Sequence, residues 1–195
     1  MKAIYQEIFE RAKPFLRTRK NLIHTQIALR YALKLLKTVG ADDEIVIPAI
    51  LLHDVGWKAV PGPLQLTAFG PNRSNPQAAR LHEVEGAKKA RKILEGLHHP
   101  PEKVEEICQI IRGHDSRKTS VSRSDRIVKD ADKLFRYSRK GMAIDVSRFR
   151  TRRRDYLGYL ERHIEKWFFL PASRQLAKEE LARRRRESDG ADREL

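Results

Sequence analysis

Apolar residues along this chain recur at intervals of three and four, and no stretch alternates for long enough to seed a sheet. Ile4, Ile8, Ala12 and Phe15 mark a first helix that ends near Pro14. A second is predicted from about Asn21 to Val39, with His24, Ile27, Ala28, Tyr31 and Leu35 on its buried face and Gly40 as its stop. A third, roughly Asp43 to His53, opens with acidic residues that suit a helix N-terminus and is almost wholly apolar from Ile45 to Leu52. A helix that is apolar on every side reads as one surrounded by others.

From Gly56 to Pro76 the texture turns to Gly, Pro, Asn and Ser. Connections of about twenty residues in compact domains usually carry function or lack order. Helical patterning returns from about Asn75 to Gly96 and from Pro101 to Arg112, where Val104, Ile107, Cys108 and Ile111 form one stripe. The segment Ser116 to Ser124 is polar, and Ser124 or Asp125 is the predicted cap of a helix bearing Ile127, Val128, Ala131, Leu134 and Phe135. From Met142 onward the pattern predicts one long helix broken at Pro171, then a shorter arginine-rich helix with a frayed end over 187–195. No internal repeat is present. The pattern is that of an all-α, single-domain helical bundle.

Composition narrows the partners. The 195 residues suit one domain, and a hydrophobic share of 40% is that of a folded, water-soluble chain. Lys and Arg number 41 against 26 Asp and Glu, a net charge of +15. That excess favours phosphorylated metabolites, nucleotides, nucleic acid or an acidic membrane face. One cysteine excludes an internal disulfide framework, and Cys108 falls on an apolar stripe, which places it in the core. The N-terminus is charged throughout, unlike a signal peptide, and the run Ile45–Leu52 is interrupted by Pro48 and too short for a bilayer of ~30 Å. The expectation is a soluble, cytoplasmic protein with no membrane association, and a homo-oligomer stays open.

Four residues carry chemistry by their placement. His24 lies in the first turn of one predicted helix, His53 and Asp54 end the apolar helix, and Asp132 stands on an otherwise apolar face. Asp132 would be costly to bury without compensation. Imidazole with carboxylate suits Mn, Fe, Co, Ni or Zn, with positions left for water and substrate. A lone histidine on an apolar face is more often a hydrogen-bonded core residue. The ordered set, each member on its own helix, raises the metal reading above that.

Around these residues stand Ala-Ile-Leu-Leu-His-Asp-Val-Gly-Trp (49–57) and Ile-Val-Lys-Asp-Ala-Asp-Lys-Leu (127–134). In this His, His-Asp, Asp order the chain resembles the HD-domain superfamily of metal-dependent phosphohydrolases over roughly Asn21 to Tyr137. The resemblance implies that His24, His53, Asp54 and Asp132 bind one divalent ion, with Mg added to the metals above. Asp130, two residues before the ligand, is then a supporting residue or lies on the helix surface. Some subfamilies hold a second ion with two further histidines and the bridging Asp, and His82 and His114 stand at those places. Otherwise these two contact substrate phosphate or transfer protons, or His82 is exposed and His114 sits near a helix end. His98, His99 and His163 fall outside any motif. Residues 1–147 would form the metal-binding helical domain, with the C-terminal helices of 148–195 packed on it.

The implied reaction is hydrolysis of a phosphomonoester, phosphodiester or phosphoanhydride bond in a small phosphorylated compound, a nucleotide among them, by metal-activated water. Asp54 would hold or deprotonate that water and His114 would assist. Asp115 is a further candidate acid or base. For substrate phosphate, Lys133 comes first and Lys58 second, followed by Arg112 and by Arg73 in the long loop. Alternatives are a di-iron oxygenase of HD-like type and a non-catalytic module binding a nucleotide or nucleic acid. Arg148, Arg150, Arg152–Arg154 and Arg183–Arg186 form basic stretches, but no nucleic-acid motif accompanies them. The aromatics among them (Tyr156, Tyr159, Trp167, Phe168 and Phe169) are spaced like a helix packing on the core, so the arginines read as a solvated or oligomer-facing surface.

Overall fold

The apolar run Ile45–Leu52 becomes the axis of the molecule. In the computed structural model, which describes residues 2–71 and 73–191, α3 spans Asp43–Leu52 and every residue from Ile45 to Leu52 is buried. The Asp42 side chain accepts from the Glu44 N–H at 2.8 Å and so caps the helix. Packed around α3 are α1 (Ala3–Leu16), α2 (Asn21–Val39), α6 (Pro101–Ile111) and α7 (Arg123–Leu134). Pro48, inside α3, has no N–H to give the Glu44 carbonyl. His99 Nε2–H fills that vacancy at 2.9 Å, so this histidine completes a helix.

The long connection after α3 is ordered. It holds a 3₁₀ turn, Val55–Ala59, and the short α4 (Gly62–Gln65), and it leads into α5 (Pro76–Glu95), which packs on that turn and on α6. Trp57, Val60, Ala68, Phe69, Ala78 and Ala79 form a second, smaller apolar cluster there. Gly56 lies in this contact. A Cβ at Gly56 would stand 1.9 Å from the His82 carbonyl oxygen and 2.4 Å from the Gly86 nitrogen. Glycine is therefore required for close approach of the turn to α5, not for a left-handed conformation.

Two predicted details are corrected. The cap of α7 is Ser122, whose hydroxyl accepts from the Asp125 N–H at 3.1 Å, so Ser124 and Asp125 lie inside the helix. Asp125 accepts instead from Arg117 at 2.8 Å and from the Val121 N–H at 2.9 Å, closing the preceding turn. The C-terminal third holds α8 (Arg139–Phe149), α9 (Arg153–Trp167) and α10 (Pro171–Ala191) rather than one long helix broken only at Pro171. The extra break falls at Arg150, which adopts a left-handed conformation with φ 49° and ends α8. Helicity in α10 continues through Ala191, while 192–195, the end of the segment expected to fray, lie outside the described residues.

Tyr156, Leu160, Ile164, Phe168 and Leu181 from the last helices join Ile8, Leu35, Leu51 and Ile107 in one continuous core. The fold is all-α with one main core and the smaller cluster beside the 3₁₀ turn, and the described residues contain no strand. No helix among them is long and apolar enough to cross a membrane.

Candidate metal centre

Three elements of the core bring four side chains together. α2 supplies His24, the C-terminus of α3 supplies His53 with Asp54 next to it, and α7 supplies Asp132. His53 Nδ1–H donates to the Ile50 carbonyl at 2.8 Å, which fixes the ring and turns its Nε2 inward. That Nε2 lies 2.9 Å from His24 Nε2. Asp132 Oδ1 is 3.1 Å from His24 Nε2 and 3.7 Å from His53 Nε2. Asp54 Oδ2 is 3.5 Å and 3.6 Å from the same two nitrogens.

A second group adjoins the first. His82 from α5 and His114 from the turn after α6 approach with Nε2 atoms 3.2 Å apart, and Asp115 Oδ2 is 3.7 Å from His82 Nε2. His114 repeats the device of His53: its Nδ1–H donates to the Ile111 carbonyl at 2.8 Å. Asp54 Oδ1 is 3.8 Å from His114 Nε2, so the two oxygens of Asp54 face different groups. The Trp57 indole N–H donates to this same Oδ1 at 2.8 Å, and its ring stacks on His82 with centroids 4.0 Å apart. Buried Glu83 accepts from the backbone N–H groups of Asp115 and Ser116, both at 2.8 Å, and so holds the turn that carries His114.

The buried groups also shift one another's protonation. Burial alone would pull His53 down, but Asp54 and Asp132 outweigh it and carry the imidazole up to about 9. Burial pushes the Asp54 carboxyl up, yet the surrounding imidazoles, His53 first, hold it down at about 2. Asp132 is likewise held well below the usual carboxylate range against its burial, by Lys133 and His24. His82 moves the other way: burial, reinforced by His114, lowers it to about 4 and keeps it a neutral donor. Inward-facing imidazole nitrogens clustered with ionised carboxylates fit a divalent cation, which would take the place of the proton His53 otherwise holds, and imidazole with carboxylate is the donor set such ions take.

Residues 21–137 match the HD domain family. This chain belongs to the HD-domain family. No curated protein matches it. Its fold is similar to the crystal structure of a predicted HD superfamily hydrolase from an uncultured Thermotogales bacterium, with 19% identity, TM-score 0.66, and 97% of this chain and 91% of that chain covered. HD domains bind divalent metals, and the His, His-Asp, Asp set of this HD domain is the group assembled from α2, α3 and α7.

Beside the centre of this HD domain opens a cleft of about 620 Å³, lined by His114, Asp115, Lys133 and Arg73 among others. Lys133 Nζ lies 3.3 Å from Asp132 Oδ2 and 3.4 Å from Asp115 Oδ1; burial lowers its pKa, but the two carboxylates more than offset this and keep it charged. Lys58 and Arg112, expected at substrate phosphate, are not among the residues lining this cleft. Lys58 is exposed on the 3₁₀ turn, and Arg112 lines another groove with Arg80 and Glu105 because it sits at the outward C-terminus of α6. The cleft instead recruits Arg136, Lys129 and Lys166, with Tyr159, Trp167 and Phe169 as an aromatic wall. Of the C-terminal aromatics, only Tyr156 and Phe168 are fully buried in the core.

Other predicted placements are revised. Asp130 is neither on the surface nor at the ligands: its oxygens accept from the N–H groups of Phe169 at 3.0 Å and Leu170 at 2.9 Å, fixing the junction of α9 and α10. Burial pushes its carboxyl up to about 6. Neither His82 nor His114 is exposed. Arg148 and Arg184 are not solvated, since Arg148 pairs with Asp145 and the buried Arg184 pairs with Glu180 and Glu187. Cys108 is buried in the core cluster.

Proposed function

We propose that this chain is a metal-dependent phosphohydrolase acting on a small phosphorylated compound, with a nucleotide as the favoured class. One observation carries the reading: the two oxygens of Asp54 face two histidine groups at the edge of a cleft rich in Lys and Arg. A divalent ion held there supplies Lewis acidity toward a phosphoryl oxygen and lowers the pKa of water. His24, His53, Asp54 and Asp132 would hold a first ion, and His82 and His114, with Asp115 in reach, a second. Asp54, ionised and accepting from Trp57, would orient the attacking water, and His114 would assist in moving its proton. Lys133 would bind a substrate phosphate oxygen, with Arg73 and Arg136 also lining the cleft. Tyr159, Trp167 and Phe169 give the cleft an aromatic wall for a base to pack against, which favours a nucleotide over an aliphatic phosphate.

The test is an assay of purified protein with Mn, Co, Ni or Fe against a panel of nucleotides and phosphodiesters. Metal-dependent phosphate release is expected, and it is expected to vanish in the His53→Ala, Asp54→Ala double variant. Activity unchanged in that variant overturns the proposal. Oxygen uptake by the reduced iron-loaded protein would instead favour the oxygenase reading, for which the basic cleft gives no particular reason.

A further inference from the structure

Arg19, in the turn between α1 and α2, belongs to no motif. Its guanidinium carbon lies 3.7 Å from the centroid of the Trp57 ring and 3.9 Å from that of Phe69, so aromatic faces hold the planar group. Its Nε and Nη1 are buried and have no hydrogen-bond partner, so the edge of the fork lacks an acceptor. The turn itself is strained: Arg19 and Lys20 both adopt left-handed conformations, with φ of 52° and 61°. Arg148 Nη2 clamps it by donating to the Arg19 carbonyl at 2.6 Å. Strain fixed by a second arginine to position an unpaired one has no evident purpose in stability.

Arg136 and Arg148 also converge on Phe69, at 5.8 Å and 5.1 Å from the ring centroid. Both are ion-paired to Asp145, at 2.7 Å and 3.0 Å, and Tyr156 donates to the same carboxylate at 2.7 Å. Three guanidiniums thus gather about one ring, two of them paired to Asp145, while Arg19 is ion-paired to no carboxylate among the described residues. Phe69 and Arg136 line the cleft that also contains His114, Asp115 and Lys133. A molecule extending along the cleft from the ligand group to Phe69 would reach Arg136 and the ring against which Arg19 packs.

We infer that Arg19, supported by Arg136 and Arg148 around Phe69, forms a second anion subsite that binds a second phosphoryl group of the substrate. This rests on the phosphohydrolase reading for the first phosphoryl group, the one beside Lys133. The enzyme then selects compounds with two phosphoryl groups over those with one. A guanidinium fork unpaired at its edge is complementary to a phosphoryl oxygen pair, which a single ammonium is not.

The experiment is calorimetric titration of the Mn-loaded full chain with inorganic phosphate and with methylenediphosphonate, which does not hydrolyse. The wild type is expected to bind the diphosphonate about ten-fold tighter, and Arg19→Gln to reduce that preference below about three-fold while phosphate affinity and metal content stay unchanged. Circular dichroism checks that the variant is folded. If Arg19→Gln does not fold, Arg19→Lys, which keeps the charge and loses the fork, is expected to lower the preference on its own. A folded variant with the wild-type preference, or one that weakens both probes equally, overturns the inference. Phosphate release from the nucleotide panel is scored separately. Its absence with the probe preference intact sinks the hydrolase reading alone, and its presence with the preference unaffected by Arg19 sinks this inference alone.

Discussion

Replacing Gly56 by Ala tests how the 3₁₀ turn positions the centre. The added Cβ would lie 1.9 Å from the His82 carbonyl oxygen, 2.4 Å from the Gly86 nitrogen and 2.8 Å from the Gly86 Cα. All three are backbone atoms, so no side chain can swing away. The turn and α5 must separate by at least about 1 Å, which places the cost at the upper end of overpacking, about 3 kcal/mol. For a domain of this size that corresponds to a fall in Tm of about 6–12 °C. The same movement draws His82 on α5 away from Asp54 and Trp57 at the start of the turn, and ligand positions tolerate only about 0.5 Å. Differential scanning calorimetry and metal analysis of the purified variant read both effects. A Gly56→Ala protein within 2 °C of wild type (roughly 1 kcal/mol) and with full metal content would refute the close-approach account.

Three further perturbations separate local roles. Trp57→Phe keeps a ring against His82 but removes the N–H bonded to Asp54 Oδ1, so metal affinity should fall about ten-fold with Tm little changed; unchanged affinity in a metal titration counts against Trp57 as an orienting donor. Lys133→Ala removes the proposed phosphate contact together with the ion pairs to Asp132 and Asp115 and should raise KM or lower kcat while metal content stays intact; metal loss would mark Lys133 as structural instead. His99→Ala leaves the Glu44 carbonyl without its donor and should cost about 1–2 kcal/mol in a denaturant titration, with metal content unchanged. Wild-type stability in that variant would mean that water replaces the imidazole.

The helices were legible because each rests on local pattern, and the clustered His and Asp residues because their order and flanking text resemble the HD-domain superfamily. The all-apolar run before His53-Asp54 does become the buried axis, and the six residues singled out as ligands meet at its end. What escaped depends on contacts between distant segments. Glu83 reads as one more charge on α5 until the turn at Asp115–Ser116 folds onto it. Arg19 gains meaning only where Trp57 and Phe69 both pack against its guanidinium, and Gly56 only where α5 passes within reach. His99 had a readable signal: a proline inside a helix frees a carbonyl four residues earlier, and some donor must supply it. Arg150 had none, since arginine carries no preference for the left-handed conformation that splits the C-terminal helices. Lys58 and Arg112 were chosen for nearness in sequence to the motif, whereas the cleft is built by α7, α9 and the turns that face them.

The central claim is that two groups of ligands share Asp54, and metal stoichiometry tests it most directly. Wild-type protein loaded with Mn and freed of excess metal should carry two ions per chain by mass spectrometry. The His82→Ala, His114→Ala double variant, its apolar helix faces untouched, should fold and keep one. Equal stoichiometry in the two proteins would contradict the account and return both histidines to the role of substrate contacts.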